Sequence, residues 1–207
     1  TDQGADAGDA VTITGPSGAE TVILSGGVLT FNGGGGADVI RAGDFSNYGA
    51  GSIIRGEGGD DRIGYGGAVS ALAIDGGANV DTLTSSADKN YTGLTAINLS
   101  VAAGADQTVG DSTTVRNFEN LDWSGGNAIT ITGSSGANSI IGSGSADVID
   151  GGGGADFIQG GGGADSLTGG TGDDDFSWLT ALQGGDTITD FAVGADKLLF
   201  AGAAFDF

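Results

Sequence analysis

The run GSGSADVID GGGGADFIQ GGGGADSLT GGTGDDDFS, residues 142–177, decides how this chain folds. It divides into nine-residue units that start at Gly142, Gly151, Gly160 and Gly169, and GSSGANSII, from Gly133, stands in the same frame. Glycines open each unit. A carboxylate or amide fills position six: Asn138, Asp147, Asp156, Asp165 and Asp174. A large apolar residue fills position eight: Ile140, Ile149, Ile158, Leu167 and Phe176. A fixed period of this kind marks a repeat architecture. The glycine half permits positive φ and close approach of backbone carbonyls. The last residues, such as DVI and DFI, form a short strand with one side chain turned inward. One turn plus one strand makes half a coil, so two units complete a coil of a parallel solenoid. Asp156 should then stack between Asn138 and Asp174 on one edge, with Asp147 and Asp165 on the opposite edge.

Weaker copies lie upstream. GPSGAETVI starts at Gly15, GGGGADVIR at Gly33, GEGGDDRIG at Gly56 and GGANVDTLT at Gly76, with LSGGVLTFN between the first two. Asp38, Asp61 and Asp81 hold position six, followed two residues later by Ile40, Ile63 and Leu83. The uneven spacing of these starts implies coils with insertions.

Forty-five of the 207 residues are Gly and one is Pro, which excludes collagen. The net charge of −21 leaves little to neutralise phosphates, so no nucleic-acid partner is expected. A chain that is 38% hydrophobic has enough apolar matter for a core, so the acidity points to carboxylates folded around cations. Two carboxylates one strand spacing apart, ~4.8 Å, repel by roughly 3 kcal/mol at an effective dielectric of about 20. A divalent cation between successive turns reverses that sign. Calcium accepts six to eight oxygens, backbone carbonyls included, whereas magnesium demands stricter geometry. Zinc prefers nitrogen or sulfur, and the chain has neither His nor Cys.

The same absence excludes a Ser–His–Asp triad, a Cys–His pair and a zinc protease motif. A glycoside hydrolase needs only two carboxylates, but these carboxylates repeat with the solenoid, as structural ligands do. No enzymatic activity is expected. No run approaches 18 apolar residues, so no membrane insertion is expected. The missing start Met reads as a fragment or a processed chain, and the lack of a visible cleavable N-terminal signal fits either a cytoplasmic protein or a secreted one addressed in another way.

These units closely resemble the RTX (repeats-in-toxin) nonapeptide G-G-x-G-x-D-x-U-x, where U is large and apolar. GGGGADFIQ and GGGGADSLT match it at every fixed position. The resemblance is strongest over residues 142–176, good at Gly33, Gly56 and Gly76, and poor over 85–133. It implies an all-β, right-handed parallel β-roll with several calcium ions between turns. The ligands it implies are Asp38, Asp61, Asp81, Asp147, Asp156, Asp165 and Asp174, with Asp173 beside the last. Turn carbonyls at Gly34, Gly36, Gly152, Gly154, Gly161 and Gly163 complete the set. Asn138 and Glu20 depart from the motif, so weak or empty sites are expected there. GGDTITDFAVGADKLLF, residues 184–200, looks like the closing segment of such rolls. Asp186, Asp190 and Asp196 are candidates for a terminal calcium site, with Phe191, Leu198, Leu199 and Phe200 covering the last coil. Members of the family usually leave the cell by type I secretion and fold outside it.

The division expected is 1–84, an RTX-like β-roll with irregular coils; 85–132, degenerate solenoid or an insertion; 133–177, regular β-roll; and 178–207, a cap. Within the middle, Phe118, Leu121 and Trp123 read as filling a wider core, and Asp106 as a degenerate position six. Trp178 reads as packing in the cap, and Asp2, Asp6 and Asp9 as a frayed acidic end. The function expected is a calcium-binding structural module of a secreted bacterial protein, for surface assembly or adhesion as a surface layer or filament. The alternative is the export module of a secreted protease, lipase or toxin.

Overall fold

The structure, a computed structural model, describes residues 10–24, 28–42, 51–65, 72–85, 91, 93–125, 127–180 and 183–201. Asp2, Asp6 and Asp9 lie outside the described residues. Among the described residues twenty short strands follow one another: β1 Ala10–Thr14, β2 Thr21–Leu24, β3 Val28–Gly35, β4 Val39–Ala42, β5 Ile53–Gly58, β6 Arg62–Gly64, β7 Ala73–Ala78 and β8 Thr82–Thr84. Then come β9 Ala96–Asn98, β10 Thr108–Val109, β11 Thr114–Arg116, β12 Asn120–Asp122, β13 Thr130–Thr132 and β14 Ser139–Ile141. The chain ends with β15 Val148–Asp150, β16 Phe157–Gln159, β17 Ser166–Thr168, β18 Asp175–Trp178, β19 Thr187–Ile188 and β20 Lys197–Phe200. No α-helix occurs among the described residues.

Three sheets hold these strands. A nine-stranded sheet runs β2-β4-β6-β8-β12-β14-β16-β18-β20, so every second strand of each regular stretch returns to it. The opposite face is divided into β1-β3-β5-β7-β11 and β10-β9-β13-β15-β17-β19. Every pairing is parallel except β10 with β9. The molecule is therefore a parallel β-solenoid, as its nine-residue period requires.

Position eight builds the core. In the nine-stranded sheet, Val22, Ile40, Ile63, Leu83, Leu121, Ile140, Ile158, Phe176 and Leu198 stand in one register column. The facing columns are Ile13, Phe31, Ile54, Ile74 and Val115, then Ile97, Ile131, Ile149, Leu167 and Ile188. The interior rungs are buried; the end rungs Ile13 and Leu198 are 43% and 45% exposed because no described coil lies beyond them. A solenoid buries its apolar side chains only between neighbouring coils.

The middle of the chain both continues the solenoid and departs from it. Strands β11, β12 and β13 take regular places, with Phe118, Leu121 and Trp123 buried in the core. Trp123 packs against Tyr65 and Tyr91, at ring-centroid distances of 5.7 and 4.7 Å. Between β8 and β11 the chain makes an excursion in which β9 starts the second half-face and β10 folds back on it. Asp106 serves this excursion: its Oδ1 accepts the N–H groups of Thr108 and Val115 at 3.1 and 3.0 Å.

At the C-terminal end, Phe191 packs toward Phe176 with centroids 6.3 Å apart, and Trp178 stacks on Phe200 at 5.4 Å. Leu198 and Phe200 nevertheless stay 45% and 41% exposed. The strand that carries them adds a ninth rung to the sheet and does not fold across its end.

Some turns carry local strain. Glu57 occupies position two of its unit at φ 77, where the fully matching units place glycine. A non-glycine residue in the left-handed region is disfavoured. Glu57→Gly is expected to raise the stability of the calcium-loaded protein by about 0.5–1 kcal/mol, after allowing for the added freedom of glycine in the unfolded chain. A thermal melt checks this; an unchanged or lower midpoint would mean the turn is not strained.

Candidate cation sites along the turn edges

Each solenoid edge is lined by position-six side chains joined through the backbone. On one edge Glu20 N–H donates to Asp38 Oδ1, Asp38 N–H to Asp61 Oδ1, and Asp61 N–H to Asp81 Oδ1, each at 2.8 Å. The ladder continues from Asn138 N–H to Asp156 Oδ1 at 2.8 Å, Asp156 N–H to Asp174 Oδ1 at 2.9 Å, and Asp174 N–H to Asp196 Oδ1 at 3.1 Å. The other edge repeats it: Ile129 N–H to Asp147 Oδ1, Asp147 N–H to Asp165 Oδ1 and Asp165 N–H to Asp186 Oδ1, at 2.8, 2.8 and 2.9 Å. The stacking order is the one the period requires, with Asp156 between Asn138 and Asp174.

One oxygen of each carboxylate is thus accounted for. The second is not. Asp38, Asp61, Asp81, Asp156, Asp165 and Asp174 each bury an Oδ2 that has no hydrogen-bond partner, and Glu20 buries an Oε2 likewise. A buried carboxylate oxygen without a donor is costly. Repetition of the same orphan at unit after unit indicates a missing ligand.

What surrounds these oxygens indicates its kind. A Cβ built on Gly56 would lie 2.0 Å from Asp61 Oδ2 and 2.3 Å from the Gly76 carbonyl oxygen. On Gly33 it would lie 2.4 Å from Asp38 Oδ2 and 2.6 Å from the Gly56 carbonyl oxygen. On Gly151 the distances are 2.5 Å to Asp156 Oδ2 and 2.7 Å to the Gly169 carbonyl oxygen. The position-one glycine therefore lets a carboxylate oxygen and a carbonyl oxygen of the next coil converge, with no N–H or O–H donor for the carboxylate oxygen. Such a pair fits a cation. Oxygen-only donors of this kind suit calcium. Among the described residues no three acidic side chains converge on one point. A cation held here would draw on one carboxylate per turn together with backbone carbonyls.

The glycines at positions two and four shape these turns. Gly34, Gly36, Gly152, Gly154, Gly161 and Gly163 all have positive φ, between 94° and 112°. The Gly152 carbonyl accepts the Thr171 N–H at 3.0 Å. The Gly154 carbonyl faces the next turn, 1.6 Å from where a Cβ on Gly172 would sit.

Without a cation the buried carboxyls hold their protons more tightly than usual. Burial pushes Asp81 up to about 7, with the charges of Asp61, Glu119 and Asp60 adding and the Asp61 N–H opposing. Burial likewise pushes Asp156 and Asp165 up to about 6, and raises Asp61 and Asp174.

The structure separates the sequence-derived candidates into groups. Asp147 differs from the orphaned aspartates because Ser143 at position two donates its N–H to Asp147 Oδ2 at 2.6 Å and its hydroxyl to Oδ1 at 3.1 Å. Ser134 does the same for Asn138, at 2.7 and 3.1 Å to Oδ1. The Ser143 N–H thus supplies Asp147 Oδ2 with a donor, although the oxygen pair of the other turns also stands at Gly142, whose Cβ would lie 2.2 Å from the Gly160 carbonyl oxygen and 2.7 Å from Asp147 Oδ2. The terminal carboxylates are satisfied too. Asp186 Oδ2 accepts the Trp178 indole N–H at 2.6 Å, Asp190 accepts the Gly169 and Gly170 N–H groups at 2.9 and 2.8 Å, and Asp196 Oδ2 accepts the Ala192 N–H at 2.7 Å. Asp186, Asp190 and Asp196 close the turns of the last coils and do not gather at one point. Asp173 is exposed beside Asp174. One rung is absent from the motif-based set: Glu119, whose Oε2 accepts the Asp81 N–H at 2.8 Å. A single sequence signal points to it, an acidic residue two positions before the buried Leu121.

Fold and edges together define a parallel β-solenoid whose turns present oxygen donors of the kind a cation takes. The family model described as RTX calcium-binding nonapeptide repeat (4 copies) matches residues 30–48, 124–158 and 150–177. The chain carries RTX repeats, which implies Ca2+ binding and marks a structural module of a secreted protein. Repeats of this type are typical of secreted bacterial proteins, which points to an extracellular location. Comparison with curated proteins found no match.

Proposed function

We propose that this chain is a rigid scaffold folded by several calcium ions outside the cell, and that it serves surface assembly or adhesion as part of a surface layer or matrix filament. The ions sit between successive turns. Asp38, Asp61, Asp81, Asp156, Asp165 and Asp174 supply the carboxylates, with turn carbonyls of the neighbouring coil completing each site. Asp147 is a weaker ligand, since its oxygens already accept from Ser143. The observation that carries this reading is the row of buried, unpartnered carboxylate oxygens facing backbone carbonyls. In the calcium-poor cell interior these carboxylates repel and the glycine-rich turns stay unordered, which suits export by type I secretion. Outside, calcium orders them. The role is mechanical and not catalytic.

Assembly is supported by the solenoid ends. Ile13 and Leu198, the first and last described rungs of their core columns, are 43% and 45% exposed. Exposed apolar rungs at both ends favour end-to-end stacking of copies. Adding millimolar calcium to calcium-free protein, followed by sedimentation and electron microscopy, tests this. Ordered filaments or sheets are expected. A stable folded monomer would overturn the assembly role and favour an export module attached to a secreted enzyme or toxin.

The two kinds of position-six residue make a further testable difference. Asp156→Asn is expected to lower the affinity of one calcium site at least tenfold. Asp147→Asn is expected to change calcium binding by less than threefold. Calcium titrations of the two variants check this, and equal effects would contradict the closing role given to Ser143.

A further inference from the structure

The regular turn is interrupted once, between β11 and β12. Residues 117–119 make that turn alone, where the preceding coil uses residues 76–81. Motif-matching stops here, yet the carboxylate ladder does not. Glu119 Oε2 takes the Asp81 N–H at 2.8 Å, as an aspartate does on the other rungs. The longer side chain offsets the shorter turn.

The carbonyl half of the site is rebuilt as well. Arg116 pairs with Asp75 in the parallel ladder, which places Asn117 opposite Gly76. Asn117 has φ 57. Asparagine is among the few non-glycine residues that tolerate this conformation. Its side chain is held from both sides: Nδ2 donates to Asp75 Oδ1 at 2.7 Å, and Oδ1 accepts the Gly104 N–H at 2.8 Å. Arg116 grips the other oxygen of Asp75 at 2.9 Å. The backbone of Asn117 is thereby fixed, and its carbonyl with it. A Cβ on Gly76 would lie 2.1 Å from the Asn117 carbonyl oxygen and 2.7 Å from Asp81 Oδ2. Asp81 is fully buried and that oxygen has no partner. The cradle matches those at Gly33, Gly56 and Gly151, although neither Asn117 nor Glu119 belongs to a repeat unit.

We infer that the calcium site at Asp81 is completed by this junction and not by a repeat unit, with the Asn117 carbonyl and the Glu119 carboxylate as its further ligands. The inference rests on the reading that calcium occupies the regular rungs. Its consequence is mechanical. The ion ties the short turn to the coil before it, and through Asn117 it ties the excursion at Gly104 to the same place. The two half-faces of the solenoid are joined at this point.

Native mass spectrometry in saturating calcium, with circular dichroism to verify folding, tests the site. Asp81→Asn and Glu119→Gln should each bind one ion fewer than the wild type, or hold one ion at least tenfold more weakly. Glu119→Gln keeps an oxygen for the Asp81 N–H and removes only the charge, so it reads the site even if Asp81→Asn does not fold. Glu57→Gln, which removes an exposed charge and none of the three ligands, should keep the full number. Unchanged number and affinity in Glu119→Gln, with an ion lost in Asp156→Asn, would overturn the junction site and leave the regular sites standing. No calcium bound by the wild type would overturn both.

Discussion

Chelating calcium at pH 7.5 is expected to remove most of the strand signal from the circular dichroism spectrum, and acidifying the chelated protein to about pH 5 is expected to restore much of it. The first half follows from the row of orphaned oxygens. Each cation bound only by the folded state contributes about 2.7 kcal/mol at a hundredfold excess over its Kd, and several rungs share this dependence. The second half follows from the protons. Asp81, near 7, and Asp156 and Asp165, near 6, stand above the ordinary aspartate value of about 3.9. The folded, metal-free chain therefore binds more protons than the unfolded chain between these limits. Its stability rises as pH falls, in full below about 4, and is lost as pH climbs through 6 to 7. This is opposite in sign to ordinary acid denaturation, where ionised carboxylates stabilise the fold. A proton on Oδ2 does part of what a cation does: it removes the buried charge and supplies a donor to the facing carbonyl. In the presence of calcium, acidification should instead weaken metal binding, because proton and metal compete for one oxygen. A chelated protein with no strand signal at pH 5, or a full one at pH 7.5, would contradict this.

Gly56→Ala is expected to destabilise the calcium-loaded protein by about 3 kcal/mol or more, at the upper end of overpacking costs, and to abolish the Asp61 site. The added Cβ would fall 2.0 Å from Asp61 Oδ2 and 2.3 Å from the Gly76 carbonyl oxygen. The second contact is backbone on the adjoining coil, which cannot retreat without opening the ladder. Gly56 does not have positive φ, so the effect is one of space and not of torsional strain. Gly144→Ala is the control. Nothing lies within 4 Å of its Cβ position and its φ is not positive, so a change within about 0.5 kcal/mol is expected. Denaturant melts and calcium titrations of both variants check the contrast; equal effects would show that the space at Gly56 is not reserved for an ion.

The sequence carries much of this architecture because one rule repeats. Glycine at position one, aspartate at six and an apolar residue at eight give the turn, the ladder and the core in a single unit. Period alone therefore places Asp156 between Asn138 and Asp174. The junction resists the same reading for a physical reason. A three-residue turn with Asn117 and Glu119 reproduces the oxygens but not the letters, and only three dimensions show that Glu119 reaches the place of an aspartate. Nor do letters tell which carboxylates are already satisfied. Asp165 and Asp186 are alike in type and stacked on one edge, yet the Trp178 indole occupies the second oxygen of Asp186 while that of Asp165 has none. The serine at position two of the Asp147 unit is visible in the sequence, but its meaning depends on where its N–H points. The division of one face into two sheets arises from the β9–β10 excursion, which no period announces.

A crystal grown in calcium and mapped by anomalous scattering tests the central claim directly. Peaks are expected in the cradles at Gly33, Gly56 and Gly151, about 2.3–2.6 Å from the Oδ2 atoms of Asp38, Asp61 and Asp156. Cradles without density, with those oxygens accepting ordinary N–H donors, would contradict it.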